Sequence, residues 1–374
     1  MALTDSGKRG RGPNLSPGGR VFLIIWGAAV LAAYAVAAYF LCSAVYRHKV
    51  NAADRSLARI SAPAVEPGAD IRRAGREGIN ATVVRTGLYL DRTAEYSVRD
   101  NYWIPEFYVW FRWRGDDVNL GESFDIVDGE FVSREKVEDV VVNGEHYQLY
   151  HCIARITKFF DVARFPRDDQ LLTITVEDSK WETSRLRYVP DAAGSRLSAR
   201  VLFPGYRVYR YATVVRNHYY PTTYGDPRLP ARKTTSYSQF IFGTWVARRG
   251  WGVFYKVFIG LFVAVSVSLV GFLVRPTDGP RFGLGIGALF AAVAHNYIAT
   301  AIMPDMSVMT LTDMIDSVGI VTIFLTLLAS TVSLYLYDRR DEETLSHLFD
   351  RVSLAAFVVG YAGLNVALPL AASL

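Results

Sequence analysis

The sequence predicts a membrane protein of β + α class: an extracytoplasmic antiparallel β-sandwich followed by a four-helix transmembrane bundle, preceded by one extra N-terminal transmembrane helix. Three observations predict it. The 374 residues contain five apolar runs of about 20 residues, the length that crosses a hydrocarbon core of roughly 30 Å. The polar block between the first and second runs alternates aromatic with polar residues, the period of a half-buried strand. That block holds turn clusters and no long helical pattern, which favours sheet packed on sheet.

Residues 1–20 are rich in Gly, Pro, Ser and Arg. They carry too little apolar surface to offset ordering entropy and read as a disordered cytoplasmic tail. Residues 21–46 form the first span, longer than the apolar core of about 7–15 residues in a signal peptide, so an uncleaved anchor is expected. Residues 47–80, interrupted by Pro63 and Pro67, read as a partly helical linker. The β domain is expected over 81–249, with strands in 81–98, 103–113, 130–142, 146–159, 170–177, 185–189, 206–220 and 237–247. In the second of these, Phe107, Val109, Phe111 and Trp113 share one face, and Tyr108, Trp110 and Arg112 the other. The remaining spans, 251–274, 282–303, 315–337 and 352–374, make up a membrane domain over 250–374.

A net charge of +5 invites a nucleic-acid reading, yet no basic stripe or binding module accompanies it. The basic residues serve better as topology signals. Lys8, Arg9, Arg11 and Arg20 precede the first span against a single Asp5, which puts the N-terminus in the cytoplasm and the β domain outside. The loops 275–281 and 338–351 then fall inside and carry basic residues, while 304–312 falls outside and carries none; Arg47 and Lys49 run against the trend. Cys42 and Cys152 make no disulfide framework or metal set.

An enzyme is not expected. Glu177 and Asp178 are adjacent on a strand and face opposite ways, so they form no acid/base pair by themselves. His146 and His151 likewise lie on opposite faces, and no further His or Cys completes a metal site. The glycines of "GLGIG" lie inside an apolar span rather than after a strand, so no phosphate loop and no cofactor follow.

Four motifs, in order, resemble those of the pentameric ligand-gated ion channels, the Cys-loop receptor superfamily, in a bacterial-type form. The segment "VVRTGLYLDRTAEYSVRDNYWIPEFYVWFRWRGD" looks like that family's opening strands, with Trp113 and Asp116 at its Trp and Asp positions. "DVARFPRDDQ" is similar to its signature loop through Asp161, Phe165, Pro166, Asp168 and Gln170. "PRFGLGIGALF" resembles the start of its pore helix, and "MPDMSVMTLTDM" the loop that follows. Departures are Lys158 and Leu172 where the loop half-cystines would stand, Arg167 at a usually apolar site, the extra N-terminal span, and a second span without the family's proline.

The resemblance implies a homo-oligomer, a pentamer, in a bacterial inner membrane, with a small-molecule ligand, permeating ions and membrane lipid as its partners. It implies a ligand cage from Tyr108, Trp110, Trp181, Tyr219, Tyr220, Tyr224 and Tyr237; aromatic packing of a sheet explains each of these singly as well. On the third span, Gly283, Gly287, Phe290, Ala294, Tyr297 and Ala301 form one stripe. Periodicity alone leaves that stripe open between helix packing and a pore face constricted at Phe290; the resemblance favours the pore. His295, one position off the stripe, is expected to point between helices. Asp278 and Arg281 stand at the expected selectivity mouth, with a slight lean to anions. Phe165 and Pro166 are expected to press on the membrane domain, Asp168 to pair with Arg248 or Arg249, and Arg167 with Asp305 or Asp313. A non-conducting oligomeric receptor or scaffold on the same fold is the alternative.

Overall fold

The computed structural model describes residues 16–73, 80–121, 123–223, 225–227, 233–301, 303–304, 306–340 and 342–373. Tyr224, Asp305 and most of the expected tail lie outside the described residues. The chain opens with one 45-residue helix, α1 (Pro17–Ser61). Ser16 caps it by accepting from the Gly19 amide at 3.1 Å, and Pro17 occupies a first-turn position whose N–H has no helical acceptor. The helix therefore begins inside the expected tail and runs through half of the expected linker. Its upper part, with Ala, Leu and Arg and no proline before Pro63, favours continued helix over coil. At 1.5 Å per residue it is about 68 Å long, more than twice a hydrocarbon core.

The strands are β1 (Ala64–Val65), β2 (Thr82–Ser97), β3 (Tyr102–Arg114), β4 (Phe124–Ile126), β5 (Gly129–Val142), β6 (Glu145–Thr157), β7 (Asp169–Asp178), β8 (Leu186–Pro190), β9 (Arg196–Leu197), β10 (Tyr206–Tyr220) and β11 (Thr235–Arg248). They form two sheets, ordered β1-β10-β11-β7-β4 and β5-β6-β3-β2-β8. The pairing is not wholly antiparallel as expected: β8 and β9 run parallel to β2, and β1 parallel to β10. Asn143 and Gly144, at φ 51° and 74°, turn β5 into β6, the left-handed pair that a two-residue hairpin requires. The alternation in β3 places Phe107, Val109, Phe111 and Trp113 in a buried cluster with Leu172, Ile174 and Val176 of β7 and Phe240, Phe242 and Val246 of β11. One apolar core thus joins the two sheets.

Behind the sheets come α2 (Gly252–Val270), closed by a 3₁₀ turn, α3 (Pro280–Ala301), α4 (Leu311–Asp338) and α5 (Glu343–Ser373). With α1, these give, among the described residues, five helices long and apolar enough to cross a membrane. The segment 343–351, expected in a loop, is the first part of α5. α2 packs on α3 and α4, α4 on α5, and α1 along α5. Trp26 Nε1 donates to Ser353 Oγ at 2.9 Å, and the Tyr34 hydroxyl bonds Thr322 Oγ1 at 2.6 Å. Gly360 lets the helices close up, since a Cβ there would sit 2.2 Å from the Tyr34 ring. The extra helix is thereby built into the helical region along its length.

Candidate functional site

The two faces of α3 differ in what they meet. Gly285, Ala288, Ala292 and Ala299 are buried, with Gly285 so close to α4 that a Cβ would lie 2.4 Å from Leu327. The predicted stripe of Gly283, Gly287, Phe290, Ala294, Tyr297 and Ala301 is exposed along its whole length. Phe290 is 73% and Tyr297 78% exposed, as are apolar side chains on the outer faces of the other long helices, Ile24 at 71% and Val359 at 62% among them, so this face is one that a single chain leaves uncovered. His295 points between helices as expected, its Nε2 3.5 Å from Asp316 Oδ1 of α4, while Asn296 donates to Asp316 Oδ2 at 3.3 Å.

At the start of α3 the expectation divides. Asp278 is exposed in the preceding turn. Arg281 is turned inward: its guanidinium grips Asp350 of α5 through two bonds of 2.8 and 2.7 Å and donates to the Val274 carbonyl at 3.1 Å. Arg281 is therefore buried at 1% exposure, not open to solvent as the expected position at a mouth requires. An arginine beside a facing carboxylate gains a planar two-bond contact that an open mouth does not supply.

The loop between β6 and β7 meets α1 through the Arg55–Asp161 pair and docks on α4, α5 and the start of α2. The Leu311 amide, one of the first-turn donors of α4, is satisfied by the Ala163 carbonyl at 2.8 Å, and Thr312 Oγ1 donates to the Phe165 carbonyl at 3.1 Å. Arg164 donates to the Ala372 carbonyl at the end of α5 and pairs with Asp169. Arg167 donates to Ser373 Oγ at 3.0 Å and to the Gly250 carbonyl at 3.1 Å, and its guanidinium lies 4.4 Å from the Trp251 ring before α2. Its expected partner Asp313 is otherwise engaged, closing the capping box at the start of α4 with Thr310. Asp305 lies outside the described residues.

Asp168 anchors this loop to the sheet. Its carboxylate accepts from Arg248 Nε at 2.9 Å, Gln170 Nε2 at 2.9 Å and the Tyr206 hydroxyl at 2.7 Å. Burial, together with the Asp168 charge, pushes the Tyr206 hydroxyl far above its ordinary pKa, so it stays a donor. Arg248 also lies over the Phe165 and Tyr206 rings, at 4.7 and 4.2 Å. Of the two expected partners Arg248 is used; Arg249 instead donates its amide to the Gly205 carbonyl. Phe165 is buried in the core of the sheets, whose fringe includes Val253 and Val257 of α2.

The aromatic positions divide between the two sheets. On β3, Tyr108 packs on His151 with centroids 4.8 Å apart, and His151 bonds Glu106 at 3.1 Å. Burial raises the Glu106 carboxyl, but bonds from Arg92 and His151 outweigh it and hold it below its ordinary value. Trp110 donates to Asp191 at 3.2 Å and lies across β2 at Gly87, where a Cβ would come within 2.2 Å of the indole. On the other sheet, Tyr220 stacks on His218 at 4.0 Å and meets Tyr237 at 5.8 Å, while Trp181 faces Arg185 at 5.5 Å. Tyr219, adjacent to Tyr220 on β10, takes the opposite face. Among the described residues no ring contact joins the β3 aromatics to those of β10 and β11.

Sequence reading missed the network under Tyr220. Glu177 accepts from the Tyr220 hydroxyl at 3.1 Å and from Gln239 Nε2 at 2.7 Å. Burial pushes its carboxyl up to about 7. Period two assigns Glu177 a face; only the register that sets it beside Gln239 reveals the neighbours. No protein-family model matches the chain, and no curated protein matches it.

Proposed function

We propose that the chain is one subunit of a ligand-gated ion channel of the pentameric type, set in a bacterial inner membrane with its N-terminus cytoplasmic and its two sheets, as a sandwich, outside. The observation that carries this reading is the exposed stripe of α3 opposite a packed face. One apolar helix makes no aqueous path, but five copies each turning Gly283, Gly287, Phe290, Ala294, Tyr297 and Ala301 to a common axis do. Phe290 is then a hydrophobic constriction that gates by dewetting.

Ligand sensing needs two neighbouring copies in this scheme. Tyr108 and Trp110 of one copy face Trp181, Tyr220 and Tyr237 of the next, giving a cage for an organic cation at roughly 0.5–2 kcal/mol per ring contact. Motion passes through the loop around Phe165, Pro166 and Asp168, which touches the starts of α2 and α4 and the end of α5. With Arg281 neutralised by Asp350, Asp278 is the exposed charge of the expected mouth pair. A ring of Asp278 favours cations, which reverses the lean to anions.

Purified full chain in liposomes tests the reading, with particle images counting subunits around an open axis. Ion flux is expected, and Phe290→Ala is expected to raise its basal level several-fold. Absence of flux from both proteins while five-fold particles are intact would contradict conduction and leave the non-conducting receptor.

A further inference from the structure

Between the upper end of α1 and the sheet carrying β7, β10 and β11 lies a cleft of about 440 Å³. Its polar lining converges from three places: Arg59 in the last turn of α1, Lys158 just past β6, and Arg216, Thr173 and Thr175 from β10 and β7. Three cations there meet a single lining carboxylate, Asp128. Asp161 is also near Lys158 but is held by Arg55 at 2.7 Å.

Of the three cations only Arg216 is held by side-chain bonds among the described residues. Arg216 is fixed by bonds to the Arg59 carbonyl and, at 3.1 Å, to Gln239 Oε1. Lys158 makes no side-chain hydrogen bond or ion pair among the described residues, and neither do the Thr173 and Thr175 hydroxyls. Burial pushes the Lys158 ammonium down to about 8, with Arg59 adding to the effect. Asp161 and Asp128 offset this only in part; a desolvated cation with no direct ion-pair partner is costly, and an anion entering the cleft relieves that cost. Ile156, Ile241 and Val127 complete the lining with apolar surface.

We propose that this cleft is a binding site for a small soluble organic anion, a carboxylate on a compact apolar body, held by Lys158, Arg59 and Arg216 with Ile156 and Ile241 against its body. The volume lies within the roughly 300–1,000 Å³ of small-molecule sites, far more than an inorganic ion fills. Lipid head groups are out of reach, because Arg59 stands about 20 Å along the helix beyond the expected membrane boundary at Tyr46. Since one cation comes from α1, an occupied site draws the end of that helix onto the sheet. The site is independent of whether the chain conducts.

Thermal unfolding of the detergent-solubilised full chain, with benzoate as probe and benzamide and inorganic phosphate as comparisons, tests it. Benzoate is expected to raise Tm with saturation, benzamide to leave it unmoved, and phosphate to do less than benzoate. Lys158→Met keeps the apolar stem, is expected to fold at least as stably, and should weaken benzoate about tenfold or more; Thr175→Val should weaken it less. Equal benzoate shifts in the parent and Lys158→Met, or no shift in the parent at tens of millimolar probe, would overturn the site. Equal shifts with phosphate and benzoate would overturn its assignment to an organic anion.

Discussion

Two buried ion pairs sit at opposite ends of the helical region, and they are built differently. Near the sheets, Asp168, 1% exposed, divides its carboxylate among Arg248, Gln170 and Tyr206. At the far end, Arg281 and Asp350, with side chains 0% and 5% exposed, rely on each other through two parallel bonds. Arg281 adds the Val274 carbonyl, but its Nε has no partner among the described residues. Losing the cation leaves Asp168 two donors. Losing either member at the far end strands a charge.

The largest expected effect breaks the isolated pair. Asp350→Ala should destabilise the protein by about 3–5 kcal/mol, because it abandons a buried guanidinium. Thermal unfolding in detergent checks this, and Arg281→Met combined with Asp350→Leu should recover most of the loss. A cost under about 1 kcal/mol for Asp350→Ala would mean that water reaches Arg281, restoring it to an open mouth. Asp168→Asn should cost less, about 1.5–3 kcal/mol, since the amide oxygen still accepts from Gln170 or Tyr206 while the charge contact with Arg248 is gone.

A third buried acid sharpens the contrast, because the direct partners of Glu177 are the neutral groups Tyr220 and Gln239. Its carboxyl rises from 4.5 to about 7 on folding, so between those values the folded state binds more protons than the unfolded one. Stability from this group is present below pH 4.5 and lost as pH rises through 7. Glu177→Gln should match the parent at pH 4 and exceed it above pH 7, by on the order of 1–3 kcal/mol. Parallel stability-against-pH curves for the two proteins would refute the assignment. The smallest effect is at Arg167, whose contacts with Ser373, Gly250 and Trp251 are partly solvated; Arg167→Gln should cost about 1 kcal/mol or less. A double-mutant cycle between Arg167 and Asp313 should give a coupling near zero, since Asp313 serves the α4 cap.

What was legible in the chain follows the same division. Period-two alternation gave β10 its observed limits and the inward face of β3, since each reports one element's own geometry. The Asp168 contact was legible as far as a choice between Arg248 and Arg249, the two cations at the junction of the last strand with the second span; the structure pairs it with Arg248. Nothing comparable pointed from Arg281 to Asp350, 69 residues away, so a buried arginine looked like an exposed one. The two-residue strands β1 and β9 are too short to show a period. Helix in the first part of the linker was legible, but its unbroken continuation from the first span to Ser61 was not, because the composition changes there from apolar to mixed although helix-forming residues carry on. Pattern reports which face an element has; it does not report what that face meets.

The central claim, that the exposed stripe of α3 faces water in an assembled ring, is tested most directly by cysteine substitution in a background of Cys42→Ser and Cys152→Ala. Single cysteines at Gly283, Gly287, Phe290, Ala294, Tyr297 and Ala301 should react with a membrane-impermeant thiol reagent and, once modified, block flux in liposomes. Cysteines at Ala288, Ala292 and Ala299 on the packed face should do neither. Unreactive stripe positions in an intact assembly would mean that lipid or another helix covers this face, and would contradict the pore.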